Sequence, residues 1–238
     1  PPWDDPRFLP SWVDLAKWTD KKLKSIALAR AYAHLGGPLA NLADRIRECA
    51  PQMQRYGIEH IHDPGLTIKT LFARTCKARL CPLCATLRAR RHYARTVPRF
   101  EHILTEHPRV PAAMATFTVP NVAFDSLRDA ADAILAGFRR LTQKTAFKQA
   151  VVGWLRAMEV TVNAETMTFH PHLHVILLLH PDYFSLSDDR YLTQQEWLAL
   201  WKRCMGDEAI EIFDIRVLRP QKRDMPLSSA LAEVTKYP

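Results

Sequence analysis

The sequence predicts an α+β protein in which an antiparallel sheet is flanked by helices and preceded by a mostly helical, cysteine-containing region. Two apolar stretches, residues 151–163 and 167–180, are separated by a short polar segment, which is the pattern of a β-hairpin. Before them, residues 126–148 repeat apolar side chains at helical spacing. A hydrophobic content of 47% with only 7 glycines indicates a packed globular chain.

Helices and strands follow one another in a simple order along the chain. Residues 1–20 contain four prolines and predict an irregular arm. Helices are predicted over residues 19–33, 39–48, 87–104, 126–148, 193–205 and 228–237. Strands are predicted over residues 113–119, 151–163, 167–180 and 210–218. Prolines 108 and 111 mark a boundary, so we predict a helical part at 1–110 and a second part at 111–238.

Composition narrows the classes of partner. The chain has 238 residues, with 33 Lys and Arg against 25 Asp and Glu, and the net charge of +8 favours a polyanion such as nucleic acid or an anionic membrane surface. No run of about 18 apolar residues and no basic-then-apolar leader is present, so we predict neither a membrane span nor a signal peptide. The chain does not begin with Met, and we expect a piece of a longer protein.

Cysteine spacing predicts a zinc site in a reducing compartment. Cys81 and Cys84 form a C-x-x-C turn, and Cys76 precedes it closely enough to be a third ligand. Structural zinc prefers four nitrogen or sulfur ligands, and Cys49 is the best candidate for the fourth. The alternatives for that ligand are His60 and His62. A redox C-x-x-C or reduced core cysteines explain this clustering less well, because no thioredoxin-like pattern surrounds it.

Arginines follow the cysteines directly. Arg88, Arg91 and Arg95 fall on one face of the predicted helix, and Arg79 lies inside the cysteine loop. We predict that these four side chains contact DNA phosphates. A solvated basic face is the alternative interpretation.

Three histidines alternate along the second strand of the hairpin. In an extended strand His170, His172 and His174 point to one face, while Leu173 and its apolar neighbours pack behind. Counting back from the turn brings Glu159 close to level with them. Two imidazoles and a carboxylate suit Mn²⁺ or Mg²⁺ when a substrate phosphate completes the shell, and such a set also binds zinc. A polar strand with hydrogen-bonded histidines is the alternative.

Six motifs in order resemble the one-tyrosine rolling-circle replication initiators of plasmids and phages, which are His-hydrophobe-His (HUH) single-strand endonucleases. The motifs are Cys76-x4-Cys81-Pro82-x-Cys84 with Arg88, Thr116-x-Thr118-x2-Asn121, Glu159-Val160-Thr161-Val162-Asn163, His170-Pro171-His172-Leu173-His174, Asp214-Ile215-Arg216 and Glu233-x2-Lys236-Tyr237. The resemblance implies an HUH fold with a ferredoxin-like or RRM-like palm, which makes residues 111–238 the catalytic part and residues 1–110 a DNA-binding part. The first 40 residues carry no motif of this family.

The resemblance also implies roles for individual residues. Tyr237 would attack a phosphodiester at the replication origin, leaving a 5′-phosphotyrosine and a free 3′-hydroxyl. His172 and His174 match the paired metal ligands, with Glu159 as the third. Glu233 resembles the acidic residue that, in some members, activates the water or hydroxyl used at termination.

The charge of Lys236 and the family resemblance together indicate binding partners. Lys236 lies beside the tyrosine with its charge available to a phosphate. The implied partners are origin DNA, which is single-stranded at the nick and has duplex beside it, and a host helicase and polymerase. The implied location is the bacterial cytoplasm, and no membrane partner is expected. A conjugative relaxase or single-strand transposase would share this chemistry. A non-catalytic, zinc-dependent DNA-binding regulator is the alternative from a different class.

Overall fold

The computed structural model describes residues 14–51, 53–60, 63–185, 190–218 and 227–235. The chain forms two compact units, Pro1–Arg95 and Thr96–Tyr237. Each unit is described by itself below. The predicted assignment of DNA binding to residues 1–110 and of catalysis to residues 111–238 stays a prediction.

The first unit combines helices with a β-hairpin. Its elements are α1 (Asp14–Leu35), α2 (Pro38–Arg47), β1 (Met53–His60), β2 (Asp63–Ala73) and the first part of α3 (Pro82–Glu106). Gly36 and Gly37 both adopt a left-handed backbone, with φ of 68° and 57°, which ends α1 and lets Pro38 start α2.

Two features of this unit differ from the sequence-based expectation. Residues 14–20, predicted as part of an irregular arm, belong to α1, whereas residues 1–13 lie outside the described part. The antiparallel pair β1 and β2 was not predicted at all. Pro64 and Gly65, which usually indicate a turn, lie inside β2, so the local pattern concealed the strand.

The second unit is built on a four-stranded antiparallel sheet. Its strands are β3 (Ala112–Thr118), β4 (Val151–Asn163), β5 (Thr168–Leu179) and β6 (Phe213–Leu218), in the spatial order β4-β5-β3-β6. Its helices are the end of α3, α4 (Leu127–Leu141), α5 (Thr145–Ala150), α6 (Gln194–Met205) and α7 (Leu227–Thr235). The succession β3-α4-β4-β5-α6-β6 with this order is the ferredoxin-like β-α-β-β-α-β arrangement, and the predicted α+β class is confirmed.

Aromatic rings hold α4 and α6 on one face of this sheet. The ring of Phe117 on β3 lies 5.6 Å from Phe138 of α4 and 5.0 Å from Trp201 of α6. The indole Nε1 of Trp201 donates to the backbone carbonyl of Thr118 at 2.8 Å, so the buried polar atom is satisfied. Leu173 and Leu177 of β5 belong to the same buried cluster.

The helix predicted over residues 126–148 is interrupted. It forms α4 and α5, separated at Lys144, whose backbone is extended. Phe147 in α5 is buried, with its ring 6.0 Å from Trp197 of α6 and 6.1 Å from Phe138. Burying this ring requires a change of chain direction, so packing overrides the continuous helical pattern. Helix α6 begins as predicted, with Thr193 as its N-cap in a capping box with Glu196.

Phe138 provides a test of the aromatic core. Phe138→Ala removes a fully buried ring that contacts three others, so we expect the free energy of unfolding to fall by about 3–5 kcal/mol in chemical denaturation. The matched control is Phe124→Ala, because Phe124 is 70% exposed and its removal should cost less than about 1 kcal/mol. Equal losses for the two variants would contradict this description of the core.

Candidate functional site

The β4–β5 register brings a carboxylate and two imidazoles together. Glu159 of β4 pairs directly with His172 of β5, so the predicted alignment of Glu159 with the histidines is confirmed. His172 and His174 share a face of β5, whereas Leu173 and Val175 between and beside them point into the core.

The three side chains converge on one point. Oε2 of Glu159 lies 3.1 Å from Nε2 of His174 and 3.5 Å from Nε2 of His172. Their ligand atoms all lie within 4.8 Å of one another, and the Glu159 side chain is only 11% exposed. Two neutral imidazoles and one carboxylate oxygen form a donor set that fits a divalent cation. His170 stays outside this group, with its ring centroid 5.3 Å from that of His172.

Hydrogen bonds behind the imidazoles fix their orientation. Nδ1 of His172 lies 3.0 Å from the backbone carbonyl of His170. A carbonyl oxygen only accepts, so Nδ1 donates this hydrogen bond, and Nε2 is the nitrogen directed towards Glu159. Nδ1 of His174 lies 3.2 Å from the hydroxyl of Thr116, its direct partner on β3. Sequence reasoning assigned Thr116 no role beyond membership of a motif, because this contact joins residues 58 positions apart.

Burial favours the neutral form of the His174 imidazole. Desolvation lowers the pKa of His174, and the neighbouring His172 lowers it further, against the opposing effect of Glu159. Burial and His172 also lower the pKa of His170. The neutral imidazole is the form that binds a metal, so this environment favours the ligand state of His174.

A second carboxylate approaches the same site from α7. Oε1 of Glu233 lies 3.9 Å from Nε2 of His174, and its side chain is 36% exposed. Leu231 and Val234, which flank Glu233 in the sequence, are buried and hold α7 in place. The helix contacts β4 and β5. Lys236 and Tyr237, predicted as catalytic, lie outside the described residues.

The four predicted zinc ligands form one cluster in the first unit. Their sulfur atoms all lie within 4.8 Å of one another. Sγ of Cys84 lies 3.6 Å from Sγ of Cys49 and 3.5 Å from Sγ of Cys76. Cys81 completes the group, and a four-sulfur set is the usual donor set of structural zinc. The side chain of His60 and the whole of His62 lie outside the described part, and Cys204 is buried in the core of the other unit.

Burial opposes the thiolate form at two of these four cysteines. Burial raises the pKa of Cys49 and raises that of Cys76 to about 11. Burial also acts to raise the pKa of Cys81, but hydrogen bonds from the Cys84 backbone N–H and the buried Ser25 hydroxyl outweigh it, so this pKa is lowered. Neighbouring buried thiolates repel one another, and a bound metal ion relieves that cost.

Cationic side chains fix the backbone around the cysteines. Nζ of Lys22 donates to the carbonyl of Cys49 at 2.6 Å, and Nη2 of Arg45 donates to the carbonyl of Cys76 at 2.9 Å. The guanidinium of Arg88 donates to the carbonyls of Ala78 and Arg79. The loop is therefore tied to α1, α2 and α3.

The four predicted DNA-binding arginines have different environments. Arg88 is half-buried and bonded to the cysteine loop, whereas Arg79, Arg91 and Arg95 are exposed. Exposed guanidinium groups are available to phosphates. The DNA-binding role of all four stays a prediction.

Comparison with known proteins decides the family. A family model described as "Replication protein" matches residues 68–238. The chain belongs to this replication-protein family. The resemblance to rolling-circle replication initiators drawn from the motifs is thereby confirmed.

Individual relatives align with most of the sequence of this replication protein. It is 29% identical over 221 residues to "Protein rep" of Streptococcus pneumoniae serotype 2, an alignment covering 93% of this chain and 67% of that protein. It is 32% identical over 245 residues to "Protein rep" of Bacillus amyloliquefaciens, covering 93% and 68%. A "Protein rep" of Staphylococcus aureus is 28% identical over 227 residues, covering 94% and 92%. No solved structure matches the chain.

Within the described part of this replication protein, no helix combines the length and the apolar character that crossing a bilayer requires.

The Thr116 hydroxyl can be tested through metal affinity. Thr116→Val keeps the β-branched shape but removes the hydrogen bond to His174, so we expect Mn²⁺ binding measured by titration calorimetry to weaken about 10–100-fold. Thr116→Ser should restore it. The control is Thr161→Val on the exposed part of β4, which should leave the affinity unchanged. Full affinity in Thr116→Val would show that the imidazole needs no support from Thr116.

The cysteine cluster can be tested by metal analysis. Purified without added metal, the replication protein should contain about one equivalent of zinc at this site, since structural sites bind tightly. Cys81→Ser should lower the zinc content by about that equivalent. Cys204→Ser removes a buried thiol outside the cluster and should not change it. Absence of zinc from the unmodified protein would refute this site.

Proposed function

We propose that this replication protein starts rolling-circle replication by cutting one DNA strand at the plasmid origin and later rejoining it. The membership of the replication-protein family supports the role in initiation. The observation that carries the chemistry is the convergence of Glu159, His172 and His174, with Glu233 beside them on the helix that precedes Tyr237.

The reaction is an exchange of phosphodiesters. The phenol oxygen of Tyr237 attacks the scissile phosphorus, an O–P bond forms, and the bond from phosphorus to the 3′ oxygen breaks. The phenol proton leaves to solvent or a nearby base, and the 3′ oxygen takes up a proton to become a hydroxyl. The product, a 5′-phosphotyrosine, keeps the bond energy needed for rejoining.

The neutral phenol explains why the site needs positive charge. A phenol with a pKa near about 10 is a weak nucleophile at neutral pH, and negative charge grows on the non-bridging phosphate oxygens in the transition state. A divalent cation such as Mn²⁺ or Mg²⁺, when bound, neutralises that charge. Glu159, His172 and His174 would hold it, while Thr116 and the His170 carbonyl keep the imidazoles oriented.

Glu233 and Lys236 complete the proposed machinery. The partly exposed Glu233 carboxylate would accept a proton from the water or 3′-hydroxyl that attacks the phosphotyrosine at termination. The ammonium group of Lys236 would attract the phosphate. Glu233 precedes Tyr237 by four residues, a spacing that brings side chains together on one helical face.

The DNA must reach this site as a single strand, since positioning dominates such chemistry and a duplex restrains the scissile backbone. The free 3′-hydroxyl would prime a host polymerase, and a helicase would separate the strands. We propose that the cysteine cluster holds zinc as a structural ion. The exposed Arg79, Arg91 and Arg95 would then contact the neighbouring DNA.

Removing the nucleophile tests the proposal directly. We incubate Tyr237→Phe with a labelled single-stranded origin oligonucleotide and Mn²⁺ or Mg²⁺, and we expect both strand cleavage and the covalent adduct to fall below detection while oligonucleotide binding is kept. The matched control is Tyr191→Phe, which changes an exposed tyrosine outside the site and should cleave normally.

Three results would contradict the proposal. Cleavage with adduct formation by Tyr237→Phe would exclude this tyrosine as the nucleophile. DNA binding by the unmodified protein without any cleavage in either cation would instead favour the non-catalytic regulator. Preference for a transfer origin or an element end would indicate a relaxase or a transposase.

A further inference from the structure

A cationic pocket lies beside the cysteine cluster in the first unit. It has a volume of about 380 Å³ and is lined by Arg45, Glu48, Arg74, Thr75, Cys76 and Lys77. Three of these side chains are cationic and one is a carboxylate. Apart from the metal-ligand candidate Cys76, the proposed reaction uses none of these residues.

Among the described lining residues of this pocket, three cationic side chains face a single carboxylate. Within the described part of the chain, the side chains of Arg74, Lys77 and Glu48 make no hydrogen bond and no ion pair. Arg45 uses Nη2 for the carbonyl of Cys76, which leaves other N–H donors of its guanidinium available. A concave site with an excess of cations has a strong positive electrostatic potential and therefore attracts an anion.

The pocket is also held rigid by its backbone. The Arg74 carbonyl accepts from Ala50 N–H at 2.8 Å, and the Cys76 N–H donates to Sγ of Cys49 at 3.4 Å. Lys77 adopts a left-handed φ of 59°, an uncommon conformation for a side chain with a Cβ. The contacts that fix the cysteine cluster therefore also preorganise the pocket, which reduces the entropic cost of binding.

The chemistry of the lining selects a phosphate. Guanidinium groups match phosphate oxygens in paired hydrogen bonds, and a lysine adds a compact charge. Among the residues that the structure describes, the lining contains no aromatic ring, so none of these side chains stacks an unpaired base as single-strand-binding proteins do. Contact with the backbone alone suits duplex DNA, whose bases are paired and whose phosphates are exposed.

We propose that this pocket binds a backbone phosphate of double-stranded DNA next to the origin nick. The inference depends on the proposed function for the identity of the DNA, but it does not depend on cleavage. It assigns the first unit a fixed contact that positions the protein on the duplex without reading its sequence.

The test measures duplex affinity against salt in the absence of divalent cations. Arg74→Gln/Lys77→Gln should weaken binding about three- to tenfold and reduce the slope of log K against log salt by about 0.9, the value for one lost phosphate contact. The loss should be equal for an origin duplex and a scrambled duplex, because a phosphate carries no sequence information. Zinc content, measured in parallel, verifies that the unit is folded.

The matched control changes the same residue types elsewhere in the unit. Lys24→Gln/Arg30→Gln removes one lysine and one arginine from the exposed surface of α1 and should leave the slope unchanged. An equal slope change in both double variants would overturn the proposal, since total charge alone would explain it. An unchanged slope in Arg74→Gln/Lys77→Gln would also overturn it.

Two further outcomes distinguish this proposal from binding of a free anion and from the nicking proposal. If Arg74→Gln/Lys77→Gln loses calorimetric binding of inorganic phosphate but keeps the duplex slope, the pocket is a free-anion site and the proposal fails. If the unmodified protein does not cleave a single-stranded origin oligonucleotide but the slope falls as expected, the nicking proposal fails and the duplex contact stands.

Discussion

The pairing register of β4 with β5 is the constraint on which the catalytic candidate depends. A shift of one residue would turn Glu159 to the opposite face of the sheet, away from both imidazoles. The turn helps to fix this register, because the side-chain oxygen of Asn163 accepts from the backbone N–H groups of Glu165 and Thr166 at 3.0 and 3.2 Å. A local hydrogen-bonding pattern thus sets the geometry of a site several residues away.

The same strand also joins the site to the core. Alternation along β5 buries Leu173 and Val175 on one face and presents His172 and His174 on the other. The imidazoles therefore sit on a rigid, packed strand, and β3 supplies the Thr116 hydroxyl from the other side. Such preorganisation suits phosphoryl transfer, in which the positions of charges and nucleophile account for most of the rate.

The first unit depends on a different interaction, the meeting of cysteines from separate segments. Cys49 follows α2, Cys76 follows the β1–β2 hairpin, and Cys81 and Cys84 lie at the start of α3. A metal bound there would join these segments, and the hydrogen bonds of Lys22 and of the arginines to loop carbonyls support them. The cationic pocket is a consequence of this arrangement, because Arg45 lies on α2 and Arg74 follows β2, and both segments lead to a cysteine of the cluster.

The sequence by itself determined the features that depend on local period and spacing. Alternation over a few residues identified the β4–β5 hairpin, the histidine face and the partner Glu159, and close spacing identified Cys81 and Cys84. Tertiary structure alone decided the hydrogen bond between Thr116 and His174, the bonding of Arg88 to loop carbonyls, and the break between α4 and α5. These features follow from contacts between residues that lie far apart in the chain or from the burial of a ring such as Phe147. The local spacing of apolar and polar residues contains no information about such contacts or about such burial.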